Sequence, residues 1–600
     1  MKNSTTNLYD KYNWDLEDIL QNKSLESLYE EWIKSENKLI KLVDSFYKTL
    51  PNFKQWIKLG EENEIISNRL QNYVSNKMNE DITDQKYMAW EQKISMKSHE
   101  LSKFFVGLSN KIIENKTKIR KYLQDKSLKE YSREFELLFK EEKRILPKQE
   151  SAALNKISIN NGAVHSIFST LEQDISYEDA KDSKGKKHKL ITRSDININL
   201  KSSDRVLRKN SWINFNKAFA QFDATFTQTL YYNYLKLNTY AKLHNYTDYI
   251  ESTCEDDEIN FSLIESIYKN VELFKETYIE FKKETTKKLK KKLHLDKIEP
   301  WDYSLDLSKA KINFTIEEAK QTVLDALNVL GPQYQDHLKT ALNAHWVSFM
   351  PKKNKYTGAY SIGGTKGLNK FYILMNFDGT YDSVNTLAHE LGHSINSVYY
   401  NEAQKVYSDT TIFTAEVPSI LNETLLAIYM INKYKDNKEL VNNFIKEICD
   451  GFFGSTTFQI ILSNFEYEAN KLVNEAKPFT KESLKKIYRE MTLKYRGGKK
   501  KELKEPYSYS LSSIFRINHF YSGNFYVYKY AVGQIAAICF ANKIINKEPG
   551  ALDKLFAFLK SGTSKSPLDT IKLLGIDMTK KEPYIEALNF IKNLIKIYKK

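Results

Sequence analysis

The 600-residue chain is short of the residues that build turn-dense or cross-linked folds: 20 glycines, 11 prolines and 3 cysteines. Glycine and proline both fall well under average usage, which excludes collagen-like and low-complexity architectures. It also argues against a fold of many short strands and for a mainly α protein. The cysteines, Cys254, Cys449 and Cys539, are too few and too scattered for a disulfide framework or a thiolate zinc site. A chain this long buries enough apolar surface to fold without such staples. No run of about 18 apolar residues is present, so no membrane-spanning helix and no membrane partner are expected. The N-terminal stretch MKNSTTNLYDKYNWDLEDIL is polar, carries acids early and lacks the apolar core of a secretory signal. A reducing, cytoplasmic location is the expectation.

Charge is the one composition feature in excess. Ninety-one basic against 76 acidic residues give a net charge of +15, which invites a nucleic-acid reading. The basic runs argue otherwise. Lys287, Lys288, Lys290, Lys291 and Lys292 are interleaved with Leu289, Leu293 and Leu295, the pattern of an exposed amphipathic helix. Lys499–Lys501 is followed at once by Glu502 and Glu505. No zinc-finger, helicase or ribonucleoprotein signature accompanies either run, and no nucleic-acid partner is expected. The rival reading, a non-catalytic basic binding protein, predicts salt-dependent binding and no bound metal.

Helical spacing dominates the pattern. Leu25, Leu28, Trp32, Ile33, Leu39 and Leu42 mark one stripe, and Leu230, Tyr234, Leu237, Tyr240 and Leu243 a second. The polar stretch 174–189 reads as an exposed loop, with a division into an N-terminal helical domain, 1–195, and a second domain, 196–600. One region breaks the helical monotony. Gly358, Gly363, Gly364 and Gly367 lie between two β-type runs, 356–362 and 371–375, the signal of a hairpin.

Directly after it stands His389-Glu390-Leu391-Gly392-His393, an HExxH motif. On a helix, residues i and i+4 share one face, so two imidazoles reach one zinc ion and the intervening Glu390 lies beside it as catalytic carboxylate. Val384, Leu387, Leu391, Ile395 and Val398 form an apolar stripe roughly opposite the histidines. Asp382 or Ser383 is a plausible N-cap, and the helix is expected to run to about Tyr399. Asn396 and Tyr399 stand where a metzincin carries Gly and a third His, which excludes that class. The nearest strong acidic candidate for a third ligand is Glu416, on a helix expected to be capped by Thr414 with Pro418 in its first turn. Glu423, two turns further on, is placed to orient a ligand histidine.

These residues resemble the thimet oligopeptidase and oligopeptidase F family of zinc peptidases, oligopeptidase F most of all. HELGH is followed by Ala415-Glu416-Val417-Pro418-Ser419 and then Glu423. Gly358-Ala359-Tyr360-Ser361 precedes it, and Arg516-Ile517-Asn518-His519-Phe520-Tyr521 comes later, ahead of the tyrosine-rich stretch 525–530. The resemblance implies a two-lobed helical clamshell with a deep central channel and a small hairpin or sheet next to the HExxH helix. It implies one Zn2+ on His389, His393 and Glu416, with Glu390 as general base and acid, and oligopeptide substrates. It also implies that His519 and tyrosines after it, Tyr526 and Tyr528 first, contact the scissile peptide. The expected activity is endo-cleavage of short unfolded peptides. A zinc carboxypeptidase or dipeptidyl carboxypeptidase of related fold stays open, since HExxH with a distant Glu does not separate endo- from exo-cleavage.

Overall fold

The computed structural model describes residues 11–305, 312–523 and 525–600, with the side chain of Ile159 left aside. The chain is mainly helical, as expected. In chain order the helices that carry the core and the site are α1 (Leu25–Leu42), α2 (Leu50–Glu80), α3 (Asp223–Leu243), α4 (Lys275–Leu293), α5 (Tyr381–Ala403), α6 (Ile412–Lys433), α7 (Gln459–Asn474) and α8 (Tyr528–Ile545). The strands are short: β1 (Ala180–Lys181), β2 (Lys187–His188), β3 (Val347–Ser348), β4 (Tyr360–Ser361) and β5 (Ile373–Leu374). Two compact units are built from alternating segments. The first comprises Met1–Ile159, Ile312–Leu426 and Phe540–Ile576; the second comprises Asn160–Lys311, Ala427–Cys539 and Asp577–Lys600.

In the first unit, Ser24 caps α1 by accepting the Ser27 N–H, and Thr49 caps α2 by accepting that of Asn52. Leu28 and Trp32 of α1 join Leu70, Tyr73 and Val74 of α2 in one apolar cluster, and Ile362, Tyr372 and Leu374 belong to the same cluster. The N-terminal helices therefore back the small sheet. Its order is β3-β5-β4, with β3 parallel and β4 antiparallel to β5. The expected hairpin is present as the β4–β5 pair, Tyr360 opposite Leu374, while the flanking strand β3 gave no signal in the sequence. Buried Lys355 locks the sheet from within. Its Nζ donates to the carbonyls of Ser348, Met350 and Met375 and to Ser348 Oγ at 2.6–3.1 Å.

In the second unit, the stretch read as a loop at 174–189 is a small hairpin, β1 paired with β2. Asp182 organises it by accepting the backbone N–H groups of Lys184 and Lys186 and bonding the His188 ring, around Gly185 at φ +82°. The stripe on α3 also differs from expectation. Its buried face is Phe226, Leu230, Asn233, Tyr234, Asn238 and Ala241, whereas Tyr240 is half-buried and Leu243 exposed. Steps of three residues drift off a 3.6-residue period, and the true face admits asparagines because they are paired: Asn233 Nδ2 donates to the Phe520 carbonyl and Asn238 Nδ2 to Asn470 Oδ1. The lysine run lies on α4 as expected, with Phe281 and Leu289 buried beneath it. Among the described residues, no helix is long and apolar enough to cross a membrane.

Candidate metal centre

Helix α5 starts two to three residues earlier than its composition indicates. Thr380 is the N-cap, accepting from the Ser383 N–H, in place of Asp382 or Ser383, and the helix extends to Ala403. The predicted stripe holds: Val384, Leu387, Leu391 and Ile395 are completely buried and Val398 is 6 % exposed. Helix α6 begins at Ile412, not at Thr414, so Pro418 lies inside the helix rather than in its first turn. A proline there removes one N–H from the ladder. Helices α5 and α6 touch backbone to backbone at this point. A Cβ on Gly392 would lie 2.5 Å from Ser419 Cα and 2.7 Å from the Pro418 carbonyl oxygen.

That close approach sets Glu416 opposite the two histidines. His389 Nε2 and His393 Nε2 are 3.2 Å apart. Glu416 Oε2 lies 3.5 Å from the first and 3.6 Å from the second. These three residues form the one group among the described residues that could hold a metal ion. The spacing fits: tetrahedral ligands at about 2.0–2.1 Å from zinc stand about 3.3–3.4 Å from one another. The chemistry of the donors fits as well. His389 Nδ1 donates to Glu423 Oε1 at 2.5 Å, His393 is bonded to the Ala415 backbone, and Ser419 Oγ donates to Glu416 Oε2 at 3.0 Å. Each donor is thus fixed by a partner outside the cluster, as ligand sets are. Glu423 takes the orienting place read for it.

Electrostatics at the cluster are dominated by burial and by carboxylates. Burial pulls His389 down, but the hydrogen bond and charge of Glu423, with Glu390 and Glu416, outweigh it and lift the imidazole to about 9. His393 is pushed down to about 4 by burial and by its His389 neighbour. Burial raises the Glu390 carboxyl to about 7, with the charge of Glu416 adding to it; His389 and the Ser361 backbone N–H act in the opposite direction. Glu390 itself is 6 % exposed. A metal ion and protons compete for such donors.

Two family models match the chain. The description "Peptidase family M3" covers residues 198–590 and "Oligopeptidase F" covers 115–174. The chain is 37% identical to an oligoendopeptidase F homolog of Mycoplasma genitalium, over 100% of this chain and 99% of the other. This chain belongs to peptidase family M3. It is a metalloendopeptidase by that membership. Oligopeptidase PepF of Bacillus subtilis is 32% identical over 96% of this chain and 84% of its own length. The crystal structure of oligoendopeptidase-F from Enterococcus faecium shares the fold, with a TM-score of 0.72 at 22% identity, covering 96% of this chain and 98% of that one.

The other residues expected at the site, His519, Tyr526 and Tyr528, lie in the second unit and are described within it. His519 opens a short helix, and its Nδ1 bonds the Tyr526 hydroxyl, the two rings meeting edge to face. Burial pushes the His519 imidazole down, so it is neutral near pH 7. Tyr528 is placed differently from the expectation. It is fully buried, and its hydroxyl donates to Asp257 Oδ2 at 2.6 Å, beside the Lys529–Asp257 ion pair. The geometry carries Tyr526 forward as a group on His519 and gives Tyr528 a packing position. Gly358 also has a local reason: a Cβ there would fall 2.6 Å from the Tyr356 ring.

Several residues around the cluster have roles there that the motif alone does not reveal. Gly392 permits the helix contact. Asn422, fully buried, donates to the Ala388 carbonyl and accepts from the Tyr334 hydroxyl, pinning α6 to α5. Ser361 offers its backbone N–H to Glu390, and its Oγ shares a hydrogen bond with Ser394 Oγ on α5. Only Gly392 had a signal available, as a glycine in the middle of a helical motif.

Proposed function

We propose that the protein is a zinc-dependent oligoendopeptidase acting on short unfolded peptides in the cytoplasm. The observation that carries this reading is the convergence of His389 Nε2, His393 Nε2 and Glu416 Oε2 at zinc-like spacing, with Glu390 next to His389 on the same helix. One zinc ion held there would supply Lewis-acid chemistry, polarising the scissile carbonyl and acidifying water. Glu390 acts as general base and then as general acid toward the leaving amine. Its raised carboxyl suits a group that must both take and return a proton near neutral pH. His519 and Tyr526 are bonded to each other, which uses one of their two polar hydrogens; the one left free serves as the hydrogen-bond donor to the developing oxyanion. Outer strand β4 has one row of main-chain groups outside the sheet and takes the substrate backbone by strand addition. The names of the relatives, oligoendopeptidase F and oligopeptidase PepF, agree with substrates of peptide length. A division of the chain at 195/196 falls between the two family matches, which end at 174 and begin at 198.

Replacing Glu390 with Gln tests the reading. The variant is expected to keep one zinc per chain by elemental analysis while its turnover of a blocked fluorogenic peptide falls by about 10²–10⁴-fold. Parent-like turnover would remove Glu390 from the mechanism. Absence of zinc from active parent protein would remove the metal.

A further inference from the structure

Helix α2 presents Asn68, Gln71, Asn72, Ser75, Asn76 and Asn79 along one stripe, at spacings of three and four residues. With the segment 360–364, this stripe encloses a cavity of about 420 Å³ in the first unit. Every helix residue lining it is an amide or a hydroxyl, and no lysine, arginine, aspartate or glutamate faces it. The inner members are structural. Asn72 Nδ2 donates to the carbonyls of Gly363 and Gly364, each at 3.2 Å, and Asn68 Nδ2 to that of Lys366. The Tyr360 hydroxyl donates to Asn76 Oδ1 and accepts from Asn79 Nδ2, both at 2.8 Å. These bonds hold β4 and the turn after it rigidly against the helix.

The outer members are not used in this way. Gln71 is exposed, and the Ser75 hydroxyl only donates to the Gln71 carbonyl of its own helix. The groove also reaches the metal centre. Ser361 lines it, and the Ser361 N–H bonds Glu390. An uncharged wall of amide donors and acceptors, facing an outer strand, is complementary to a chain of alternating N–H and C=O groups. It has no cation for a phosphate or carboxylate ligand and no anion for a basic one. From Asn68 to Asn79 the helix rises about 16 Å, the length of about five extended residues.

We infer that this groove is a subsite for the main chain of the substrate, taking about five extended residues and reading backbone rather than side-chain charge. The inference rests on the peptidase reading and adds to it where the substrate's length is measured. Two variants test it: Gln71→Trp, which fills the groove, and Gln71→Ala with Ser75→Ala, which strips its open side. Neither removes an inner hydrogen bond, and unchanged melting temperatures check the fold.

The ratio of kcat/KM for a nine-residue peptide to that for a four-residue peptide is expected to fall about tenfold in the first variant and about threefold in the second. A dye-labelled nine-residue Gly/Ala peptide, titrated into chelator-treated protein, should bind Gln71→Trp about tenfold more weakly than parent. Single Lys or Glu replacements along the peptide should change that binding by less than threefold. A length ratio within twofold of parent in both variants would overturn the subsite, and a tenfold preference for one charge would overturn the backbone reading. If the parent cleaves no peptide at all, the peptidase reading fails, while the binding titration still reports on the groove.

Discussion

Glu466, on α7, is almost fully buried, and its Oε1 accepts from the Tyr249 hydroxyl at 2.9 Å and the Phe525 N–H at 3.2 Å. Burial pushes its carboxyl up to about 8. The titratable groups facing it are Tyr234, Tyr249, Tyr268 and Tyr526, with no lysine or arginine among the groups that shift it. An unfolded glutamate titrates near 4.3. Between that value and about 8 the folded chain holds a proton that the unfolded chain has released. The contribution of Glu466 to stability is therefore greatest at low pH and falls as pH rises through this window, by at most about 1.4 kcal/mol per pH unit. Glu466→Gln keeps the acceptor and removes the titration. Urea midpoints are expected to diverge from pH 5.5 to pH 8, with the variant increasingly the more stable; parallel curves would show that Glu466 does not carry the slope. Single-residue chemistry was legible where spacing encodes it, as in His389, Glu390 and His393. Glu466 was not legible, because one carboxylate among 76 acidic residues has no local pattern. For a related reason the tyrosine-rich stretch does not reveal which hydroxyl, that of Tyr528 or Tyr526, meets Asp257 and which meets a histidine.

Elements were legible as far as periodicity reaches. The stripe of α5 and the existence of α6 follow from a 3.6-residue repeat, and the β4–β5 hairpin from glycines between β-rich runs. Starts of helices were not, since Thr380 competes with Asp382 and Ser383 and only the side-chain bond decides. Nor was the crossing of α5 and α6, which depends on Gly392. Adding one methyl there places a Cβ 2.5–2.7 Å from the α6 backbone, and a backbone cannot rotate away as a side chain can. Gly392→Ala is expected to destabilise the fold by about 1–3 kcal/mol and to move α6, and Glu416 with it, away from the histidines. Two readouts check this together: a lower melting temperature and a zinc affinity weakened by at least tenfold in competition with a chromophoric chelator. A stable variant with parent zinc affinity would mean that α6 is not held at this contact.

At the scale of the whole chain, no spacing rule reveals that residues far apart in sequence share one core. Ile362, Tyr372 and Leu374, the residues that seat β4 and β5, pack on Trp14, Leu28, Trp32, Leu70 and Val74. Burial of each such side chain contributes about 1.5–3 kcal/mol, so exposing these three alone removes about 5–9 kcal/mol. That is comparable to the whole stability of an ordinary domain, about 5–15 kcal/mol. A protein lacking residues 1–159 should therefore lose the sheet that backs the histidine helix, although His389, His393 and Glu416 are all still in the chain. Expected outcomes are loss of near-ultraviolet dichroism, loss of cooperative unfolding and zinc binding reduced by about tenfold or more from one ion per chain. Supplying residues 1–159 as a separate polypeptide during refolding should restore zinc binding, because the contacts are non-covalent. Full zinc occupancy in the truncated protein by itself would show that the histidine helix and β5 stand without the N-terminal helices, and the packing argument would then be wrong at its root.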